Sequence, residues 1–548
     1  MENHRLIRSR MIRRAWHALE ERDLEKAENL GSKVLRHRPN DVAALHLLGK
    51  LNLERGHLDC ALHFIRAALK VTDECSDLFS DLGLIFLTMA RIDEALSAYD
   101  RARQIAPNDP DIWNGRGVAL LELDRAEEAI SSFDQALAID PDHLEALGNR
   151  GNSQLRLNHV QEAAASYEAA LKKAPENARL LTNYAVALRK LDRPDEALLN
   201  LAKARVSDPS FAVAQYVQSL VKLSLGDFKA GWRAHEARWA TEALAAQRRH
   251  FAQPLWLGEV SLAGKTILLH AEQGYGDVIQ FVRYVSCVAA LRAKIILEVQ
   301  PELVRLFSAM EGVQTIVPRG GILPPFDFHC PMMSLPLAFG TELHSIPAVV
   351  PYLAAPAELA ADWRQSLPHS GPLIGLAWAG DRSHKNDLNR SLRLETLRPL
   401  FELPNVQFVS LQQEVHEEDA EFIRSAPQIV RFDRRFHDFA DTAAVIAHLD
   451  LVISVDTAVA HLAGAMAKPL LLLLPYAADF RWLRERCDSP WYPTARLFRQ
   501  RKFNDWSEVV TELVNELICT RSAIQSLTRR PNLPPFVRST SSLRLNSA

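Results

Sequence analysis

The segment 144–177 reads LEALGNRGNSQLRLNHVQEAAASYEAALKKAPEN, and its pattern recurs every 34 residues along the first 211 residues of the chain. Alanine returns at this spacing without a miss, at Ala27, Ala61, Ala95, Ala129, Ala163 and Ala197. Proline follows the same period at Pro39, Pro107, Pro141, Pro175 and Pro209, with Asp73 in the one skipped position. A fixed period of this length is typical of an array of stacked helix–turn–helix units.

Two further columns of the repeat indicate how its helices pack. One column holds glycine and another holds aromatic residues: Gly49, Gly83, Gly117 and Gly151, then Tyr99, Phe133 and Tyr167. Small residues let the two helices of a unit approach closely, and the large ring fills the gap to the next unit. Proline opens the following turn because it cannot continue a helix. The array resembles the tetratricopeptide repeat, in six copies from about residue 8 to residue 211.

This resemblance implies a superhelix whose concave groove binds an extended peptide or protein segment. A spacer or a dimerisation element is the alternative interpretation. Asn114, Asn149 and Asn183 fall on the first helices of their units, where an asparagine ladder could hydrogen-bond a peptide backbone. Solvated polar positions would give the same pattern.

Composition excludes several classes of protein. The 548 residues include 64 Lys and Arg against 67 Asp and Glu, so the net charge is −3, which argues against a nucleic-acid partner. The six cysteines form no C-x-x-C pair, which argues against a disulfide framework or zinc knuckle and suits a reducing compartment. The D-x-D at residues 109–111 lies at a repeat turn, where Asp and Pro start helices, so we do not expect it to bind a metal.

Two sequence features bear on localisation. The basic segment MENHRLIRSRMIRRAW at residues 1–16 has no apolar run behind it, so it does not read as a signal peptide. The apolar run at 470–474 is too short to span a bilayer. We therefore expect a cytoplasmic protein with no membrane span.

Beyond the array the pattern changes. Residues 212–262 keep helical propensity but lose the period, and they predict a capping helix followed by a connector. After Gly264, short β-rich runs alternate with helical stretches, and the runs cover 266–270, 294–299, 314–317, 373–378, 406–411, 450–455 and 469–474. Apolar strands separated by helices predict parallel sheets covered on both faces.

We therefore expect an all-α array followed by two Rossmann-like, doubly wound α/β domains. The first spans 263–352 and the second spans 371–519, with a linker at 353–370. The last segment, 520–548, carries five arginines and no acidic residue, and we expect it to be a disordered tail.

Two strand ends carry loops suited to binding a phosphate-containing ligand. The first loop is HAEQGYGD at 270–277, in which Asp277 opens a helix; a helix cap is the alternative role for this carboxylate. The second is SVDTAVAHLAGA at 454–465, in which a buried strand ends and small residues begin a helix. The free N–H groups of Thr457, Ala458 and Val459 would then form a diphosphate site, although Thr457 could be an ordinary capping residue.

These two loops carry a family resemblance over about residues 8–515. Together with Trp378–Gly380, Lys385–Asp387, Asn389–Ser391 and the DSPWY run at 488–492, they resemble the bacterial tetratricopeptide-repeat glycosyltransferases. The catalytic unit of that family is similar to the lipopolysaccharide heptosyltransferases of glycosyltransferase family 9. The resemblance implies the two-Rossmann GT-B fold and transfer of a hexosyl or heptosyl group from a nucleotide-sugar donor. It further implies inversion at the anomeric carbon, with no cofactor and no essential metal.

The resemblance also implies roles for individual residues. Asp277 matches the proposed acceptor base, and Asp456 matches the acid directed at donor-sugar hydroxyls. Lys385 and Arg390 lie in the loop that contacts the leaving diphosphate. His461 could touch the donor or its phosphate, or could equally be a packed structural histidine.

The loop around Asp277 offers further contacts. Gln273 and Gln280 flank Asp277 and are candidate acceptor or donor contacts, together with Gly274 and Gly276.

The acceptor follows from the linked array. A peptide-reading groove favours a protein acceptor, and by analogy with related fused enzymes this could be flagellin or another surface protein. Two alternatives stay open: a scaffold whose transferase half is degenerate, and a transferase that acts on a saccharide or lipid-linked acceptor.

Overall fold

The computed structural model describes residues 2–369, 371–384, 386–432 and 436–527. The chain divides into two units, residues 1–217 and residues 218–548. Two parts of the sequence predictions lie outside the described residues: most of the predicted tail, at 528–548, and Lys385.

The first unit is built from consecutive pairs of helices. They are α1 (Glu2–Glu20), α2 (Leu24–His37), α3 (Val42–Glu54), α4 (Leu58–Leu69), α5 (Ser76–Thr88), α6 (Ile92–Ile105), α7 (Pro110–Glu122), α8 (Ala126–Ile139), α9 (Leu144–Arg156), α10 (Val160–Lys173), α11 (Ala178–Lys190), α12 (Pro194–Ser207) and α13 (Ala212–Ser224), which crosses into the second unit. Polar side chains cap several of these helices; Asp109 accepts from the Asp111 N–H at 3.0 Å at the start of α7. The D-x-D is thus part of a helix start.

The glycine column lies where the helices of a pair meet. A Cβ placed on Gly83 would lie 2.7 Å from the Tyr99 ring, and one on Gly115 of the next pair would lie 2.3 Å from the same ring. Gly117 meets Phe133 in the same way. Because no side chain fits between helix and ring, these contacts confirm the close approach that the columns predict.

The asparagine positions are bonded across neighbouring repeats. The Asn149 amide donates to Asn114 Oδ1 at 3.0 Å, and the Asn183 amide donates to Asn152 Oδ1, also at 3.0 Å. Each amide keeps further donor or acceptor capacity beyond these bonds, because a side-chain amide has two N–H donors and a carbonyl oxygen.

A seventh helix pair follows the six predicted repeats. Its second helix, α14 (Phe228–His235), packs on the end of α13, where a Cβ on Gly231 would lie 2.6 Å from Leu223 Cδ2. Gly231 stands 34 residues after Ala197, and Ser219 stands 34 after Ala185, so both columns continue. The 34-residue pattern therefore continues past residue 211, the predicted end of the six repeats, and Ser219 takes the place of Gly or Ala in its column.

The second unit begins with a four-stranded parallel sheet in the order β3-β2-β1-β4. Its strands are β1 (Thr266–His270), β2 (Lys294–Val299), β3 (Val313–Pro318) and β4 (Phe328–Pro331). The helices of this part are α15 (Glu242–Ala245), α16 (Tyr275–Phe281), α17 (Tyr284–Ala290), α18 (Pro301–Phe307), α19 (Leu335–Ala338) and α20 (Ala357–Arg364).

The two faces of this sheet are covered differently. On one face, residues such as Ile267 and Leu269 pack into a large core with the helices. On the other face, Leu268 packs against Phe251 of the connector and Phe326 of a loop. On that face the connector and the loop, rather than a helix, contact Leu268.

A six-stranded parallel sheet follows, in the order β10-β9-β8-β5-β6-β7. Its strands are β5 (Leu373–Ala377), β6 (Gln407–Ser410), β7 (Ile429–Val430), β8 (Leu451–Val455), β9 (Leu470–Leu474) and β10 (Ala495–Arg499). Its helices are α21 (Asp387–Arg390), α22 (Glu417–Arg424), α23 (Phe439–Ala447), α24 (Ala458–Ala465) and α25 (Ser507–Leu527). All seven predicted strands are present; β4, β7 and β10 were not predicted.

The strand orders locate the ligand crevices. From β5 the chain adds β6 and then β7 toward one edge of the sheet. It then crosses back to β8, on the other side of β5, and adds β9 and β10 toward the opposite edge. The order of the strands therefore reverses between the neighbours β5 and β8. In doubly wound sheets such a switch point opens a crevice at the carboxyl ends of the two strands. The first sheet has the equivalent point between β1 and β4. Both predicted loops, 270–277 and 454–465, begin at these strand ends.

The end of the described chain differs from expectation. Helix α25 runs on to Leu527, so the first eight residues of the segment expected to be disordered are helical. Its buried residues Val510 and Leu513 pack on the second sheet's core, which anchors the start of this helix. No helix among residues 2–527 that the structure describes is long and apolar enough to cross a membrane.

Candidate functional site

The first site loop leads from β1 into α16. Gln273 adopts a left-handed backbone with φ of 59°, and Gly274 forms the N-cap of α16. The Asp277 carboxylate turns back to this cap, where Oδ2 accepts from the Gly274 N–H at 2.9 Å. The Asp277 side chain thus caps the helix and is also the candidate base, and 18% of it is exposed to solvent.

A buried ion pair fixes the strand end that precedes this loop. Arg238, which follows α14, donates two bonds of 2.9 Å to the carboxylate of Glu272. The Met333 N–H donates to the same carboxylate at 3.1 Å, and Ser334 accepts from Arg238 at 2.8 Å. Because all of these groups are buried, the loop start has one set geometry.

The second site loop leads from β8 into α24. Thr457 is the N-cap of α24, and its hydroxyl lies 3.2 Å from the Ser454 hydroxyl. The N–H groups of Ala458 and Val459 belong to the first turn, where a helix has no internal acceptor for them. This half-buried helix start is suited to an anion.

The two loops meet where α16 packs on α24. A Cβ placed on Gly276 would lie 2.9 Å from His461 Cδ2 and 3.6 Å from Ala458 Cα. Only glycine permits this approach, and the next residue along the chain is Asp277. The predicted base and the predicted diphosphate loop are therefore neighbours.

His461 itself is a packed residue. Its Nδ1 lies 2.9 Å from the Tyr492 hydroxyl, and its ring stacks on Trp482 at 5.3 Å. Burial, with Arg481 nearby, holds the pKa of His461 well below its usual range, so the ring is neutral. Of the two roles considered for His461, the structure favours the packed structural one.

An arginine that sequence analysis did not single out occupies the same junction. Arg481 lies in the loop after β9, and its side chain is 10% exposed. It contacts Asp277 Oδ1 through Nη2, donates through Nη1 to Asp479 Oδ1 at 2.7 Å, and donates through Nε to Gln280 at 2.5 Å. Burial opposes the charge, but Asp479 and Asp277 raise the pKa of Arg481 above its usual value, so it stays cationic.

The side chains around this junction differ in exposure. Gln280 is fully buried, and its Oε1 accepts from Arg481 Nε, so it positions the arginine; its contact with a ligand stays a prediction. Gln273 is partly exposed on the loop, and its backbone carbonyl accepts from Gln300 at 3.1 Å. Gly274 donates its N–H to Asp277, as described, and Gly276 makes the helix contact.

Asp456 lies between these groups. Burial first, and then the nearby Asp479 carboxylate, raise the pKa of Asp456 to about 6, while Arg390 and Arg481 oppose the rise. The carboxylate lies 3.8 Å from His461 Nε2. A carboxyl group with this pKa is present in both its protonated and ionised forms near pH 6, and its ionised form accepts hydrogen bonds from hydroxyl groups.

The loop after β5 reaches the same junction through Arg390. Its Nη1 donates to the backbone carbonyl of Asp456 at 3.0 Å, and its Nε lies 3.4 Å from Asp387 Oδ1. Asp387 also accepts from Ser391, whose hydroxyl accepts from the Gly380 N–H. Lys385, the other predicted phosphate contact, lies outside the described residues.

Helix α14 also contacts the elements that form this junction. Trp232 of α14 packs edge-on against Phe281 of α16 at 5.9 Å and against Phe480, the neighbour of Arg481, at 5.7 Å. Phe228 lies 6.1 Å from Trp491. Helix α14 thus supports the elements that carry Asp277 and Arg481.

The missed residues left a weak signal in the sequence. Arg481 and Asp479 follow the apolar run at 470–474, a strand whose carboxyl end adjoins that of β8 in the sheet. Polar residues after neighbouring parallel strands converge at one edge, so this loop could have been added to the site. Among the residues that the structure describes, no three His, Cys, Asp or Glu side chains are grouped so as to hold a metal ion.

Comparison with known families agrees with this organisation. Residues 80–143 and 149–229 match the tetratricopeptide repeat family, and the second match includes the first part of α14. Residues 437–502 match glycosyltransferase family 9 (heptosyltransferase), a segment that runs from α23 to β10 and contains α24.

Individual proteins match over parts of the chain. Protein FlbA of Caulobacter vibrioides is 24% identical over 351 residues, which cover 59% of this chain and 58% of FlbA. The chain therefore spans little more than half the length of that relative. PilF of Pseudomonas aeruginosa matches 39% of this chain and 96% of its own, at 17% identity and a TM-score of 0.36. A tetratricopeptide repeat protein from Parabacteroides merdae matches 44% and 96%, at 16% identity and a TM-score of 0.37.

The helix pairs, the two parallel sheets and the two family matches give one conclusion. This chain joins a tetratricopeptide-repeat array to an α/β region with a glycosyltransferase family 9 segment.

Proposed function

We propose that this protein is a glycosyltransferase that moves a sugar from a nucleotide-sugar donor to a protein hydroxyl recognised through the repeat array. The observation that carries the proposal is the packing of α16 on α24 at Gly276 and His461, which makes Asp277 a neighbour of the α24 N-terminus. The family 9 match over 437–502 supports the donor half of this pairing.

The proposed chemistry is a single inverting displacement. The acceptor oxygen attacks the anomeric carbon of the donor while its proton passes to the Asp277 carboxylate. The bond from that carbon to the diphosphate oxygen breaks, and both electrons leave on the nucleoside diphosphate. Such a step needs a base held close to the acceptor hydroxyl, and it needs donors or cations that stabilise the charge on the leaving group.

On the donor side, we assign the diphosphate to the start of α24 and to Arg390, with Lys385 retained as a predicted contact. The N–H groups of Thr457, Ala458 and Val459 would supply neutral donors, and the helix dipole adds to their effect. Asp456 would contact sugar hydroxyls, since its carboxylate oxygens accept hydrogen bonds from them. In this proposal the nucleotide-sugar is a substrate and neither a metal nor a cofactor takes part.

On the acceptor side, the repeat array would bind a segment of the protein to be modified. The bonded asparagine pairs at Asn114–Asn149 and Asn152–Asn183 support a polar strip with spare amide capacity, which could bond a peptide backbone. Flagellin or another surface protein stays a candidate acceptor by analogy alone.

Thermal-shift measurements on the full chain test this proposal. We expect one nucleotide-sugar class to raise the melting temperature of the protein, whereas the free monosaccharides should not, because a ligand that binds only the folded state stabilises it by mass action. If no nucleotide sugar stabilises the protein but a partner protein still binds the array, the scaffold interpretation replaces the transferase. If transfer occurs to a saccharide or lipid-linked acceptor and never to protein, the protein-acceptor part is wrong.

A further inference from the structure

Arg481 lies among several charged side chains at the junction of the two site loops. Its guanidinium is the cation that contacts Asp277, and Arg481 also faces Asp479 and, at longer range, Asp456. Arg390 lies near this group as a second cation. Three carboxylates thus surround the junction, which a diphosphate would have to enter.

The ion pair also restrains the candidate base. A carboxylate offers about four acceptor sites on its two oxygens, and a guanidinium that bonds one oxygen takes one of these sites and restricts the approach of an acceptor hydroxyl from that side. The Gly274 N–H bonds Oδ2 of Asp277 and Arg481 bonds Oδ1, so removing Arg481 would open a further acceptor site on Oδ1 for proton transfer.

The geometry of Arg481 allows its outer nitrogens to change partners. Its Nε is held by Gln280, which fixes the base of the guanidinium, while Nη1 and Nη2 each hold a separate carboxylate. Guanidinium groups pair with phosphate oxygens through two parallel N–H donors, in the same way as with a carboxylate. A diphosphate could therefore replace Asp277 as a partner without the arginine leaving its anchor.

We propose that Arg481 binds the donor diphosphate, and that its move from Asp277 to the diphosphate frees Asp277 to act as the base. Arg481 thus masks the base, and donor binding unmasks it. This inference rests on the proposed function, because it names a further residue that would bind the donor diphosphate of that function. No bond is made or broken in this step other than hydrogen bonds.

Calorimetric titration with nucleoside phosphates tests the diphosphate contact. The probes are UDP, GDP, ADP, CDP and dTDP, each compared with its monophosphate, on the full chain. We expect one diphosphate to bind more tightly than its monophosphate, and Arg481→Gln to reduce that preference about tenfold or more. Arg481→Lys should keep part of the preference, because it keeps the charge but loses the paired donors. Arg486→Gln is the matched control, since Arg486 lies in the same segment and donates through Nε and Nη2 to Asp488 at 2.9 and 2.8 Å.

A double-mutant cycle tests the exchange of partners. Asp277→Asn removes the competing carboxylate, so it should raise diphosphate affinity roughly fivefold, and this gain should largely vanish in the Arg481→Gln background. The Asp277→Asn measurement stands even if Arg481→Gln folds poorly.

The outcomes separate the two proposals. If the wild type prefers no diphosphate, both the proposed function and this inference are overturned. If the wild type has a preference that Arg481→Gln keeps, or if Asp277→Asn gains no affinity, the inference alone is overturned.

Discussion

Asp277 combines a structural and a chemical role in one side chain. Its Oδ2 accepts the Gly274 N–H at 2.9 Å, which caps α16, and its Oδ1 faces Arg481. An asparagine can keep the cap through its carbonyl oxygen but cannot take up a proton as a carboxylate does. The two roles can therefore be separated by one substitution.

The first prediction is that Asp277→Asn reduces sugar transfer by about 10²- to 10⁴-fold, because general-base catalysis contributes on this order. The fold should be kept, and circular dichroism with a thermal melt checks this while a transfer assay measures the rate. Asp505→Asn is the matched control, because Asp505 also accepts from a helix-start N–H, that of Ser507 at 3.0 Å, and lies at α25. Wild-type transfer rates in Asp277→Asn would remove Asp277 as the base.

The second prediction concerns the stability of the fold as a function of pH. The folded-state pKa of Asp456 is raised from 3.8 to about 6, so between these values the folded protein binds a proton that the unfolded chain has released. The free energy of unfolding therefore falls as pH rises through this window and then levels off. The Asp456→Asn variant lacks this titrating group. Its free energy of unfolding should therefore rise relative to that of the wild type by on the order of 3 kcal/mol between pH 4 and pH 6.

Urea unfolding at several pH values measures this difference. The variant-minus-wild-type difference should grow from about pH 4 to about pH 6 and stay constant above it. A difference that does not change with pH would mean that Asp456 is not buried among like charges as described.

At the scale of single residues, local patterns in the sequence indicated some members of this junction and not others. The loops that carry Asp277 and Thr457 were recognisable because each leads from a strand end into a helix, and the structure places both residues at the starts of α16 and α24, while their roles stay predictions. The sequence named Gln280 as a candidate ligand contact, and it could not show the bond from Arg481 to Gln280, because these residues stand 201 apart in the chain. Contacts at such separations leave no local pattern, so neither the arginine nor its anchor could be derived from spacing.

Among the elements, the α16–α24 contact decides whether the two site loops meet. It depends on Gly276, because a Cβ there would lie 2.9 Å from His461 Cδ2, and His461 is itself held by Tyr492 and Trp482. The ring has little freedom to move aside, so the contact resists any larger residue.

The third prediction is that Gly276→Ala lowers the free energy of unfolding by about 1 to 3 kcal/mol and weakens nucleotide-sugar binding. Gly274→Ala is the matched control two residues away, since its Cβ would meet only Asp277 Oδ2 at 3.4 Å and its backbone is extended. Urea unfolding and thermal shift with the donor measure both effects. Equal losses in the two variants would contradict a special role for the helix contact.

Element prediction succeeded where a pattern is periodic. The repeat columns predicted the helix pairs of the array because each glycine meets a ring, as Gly117 meets Phe133. The seven apolar strands were predicted because buried parallel strands are continuous apolar runs. The three missed strands lack this signal: β7 has two residues, β4 reads FHCP, and β10 reads ARLFR with arginine at its second and fifth positions.

For the whole molecule, helix α14 connects the repeat pattern to the α/β region. It continues the 34-residue period through Gly231, yet its Phe228 and Trp232 are buried against residues of the α/β region. Buried aromatic residues of this size each remove a large apolar area from water. The array's last helix is therefore part of the folded core of the second unit.

The fourth prediction follows from this placement and uses two fragments. A fragment of residues 209–548 keeps α13 and α14 and should fold, whereas a fragment of residues 242–548 exposes Phe281, Phe480 and Trp491 and should be unstable or aggregate. Loss of Trp232 and Phe228 packing costs about 3 to 5 kcal/mol for each side chain, which is a large part of a domain's stability. Thermal melts and size-exclusion chromatography distinguish the two fragments.

The longer fragment also separates the donor and acceptor roles, because it keeps the whole α16–α24 junction but loses the six preceding repeats. It should bind the nucleotide sugar as the full chain does and transfer little or no sugar to a protein acceptor, since the array supplies acceptor binding rather than chemistry. Competition with the isolated array, residues 1–211, should then inhibit transfer by the full chain. If the fragment of residues 209–548 modifies the protein acceptor at the full-chain rate, the array does not read the acceptor, and a spacer or assembly role takes its place.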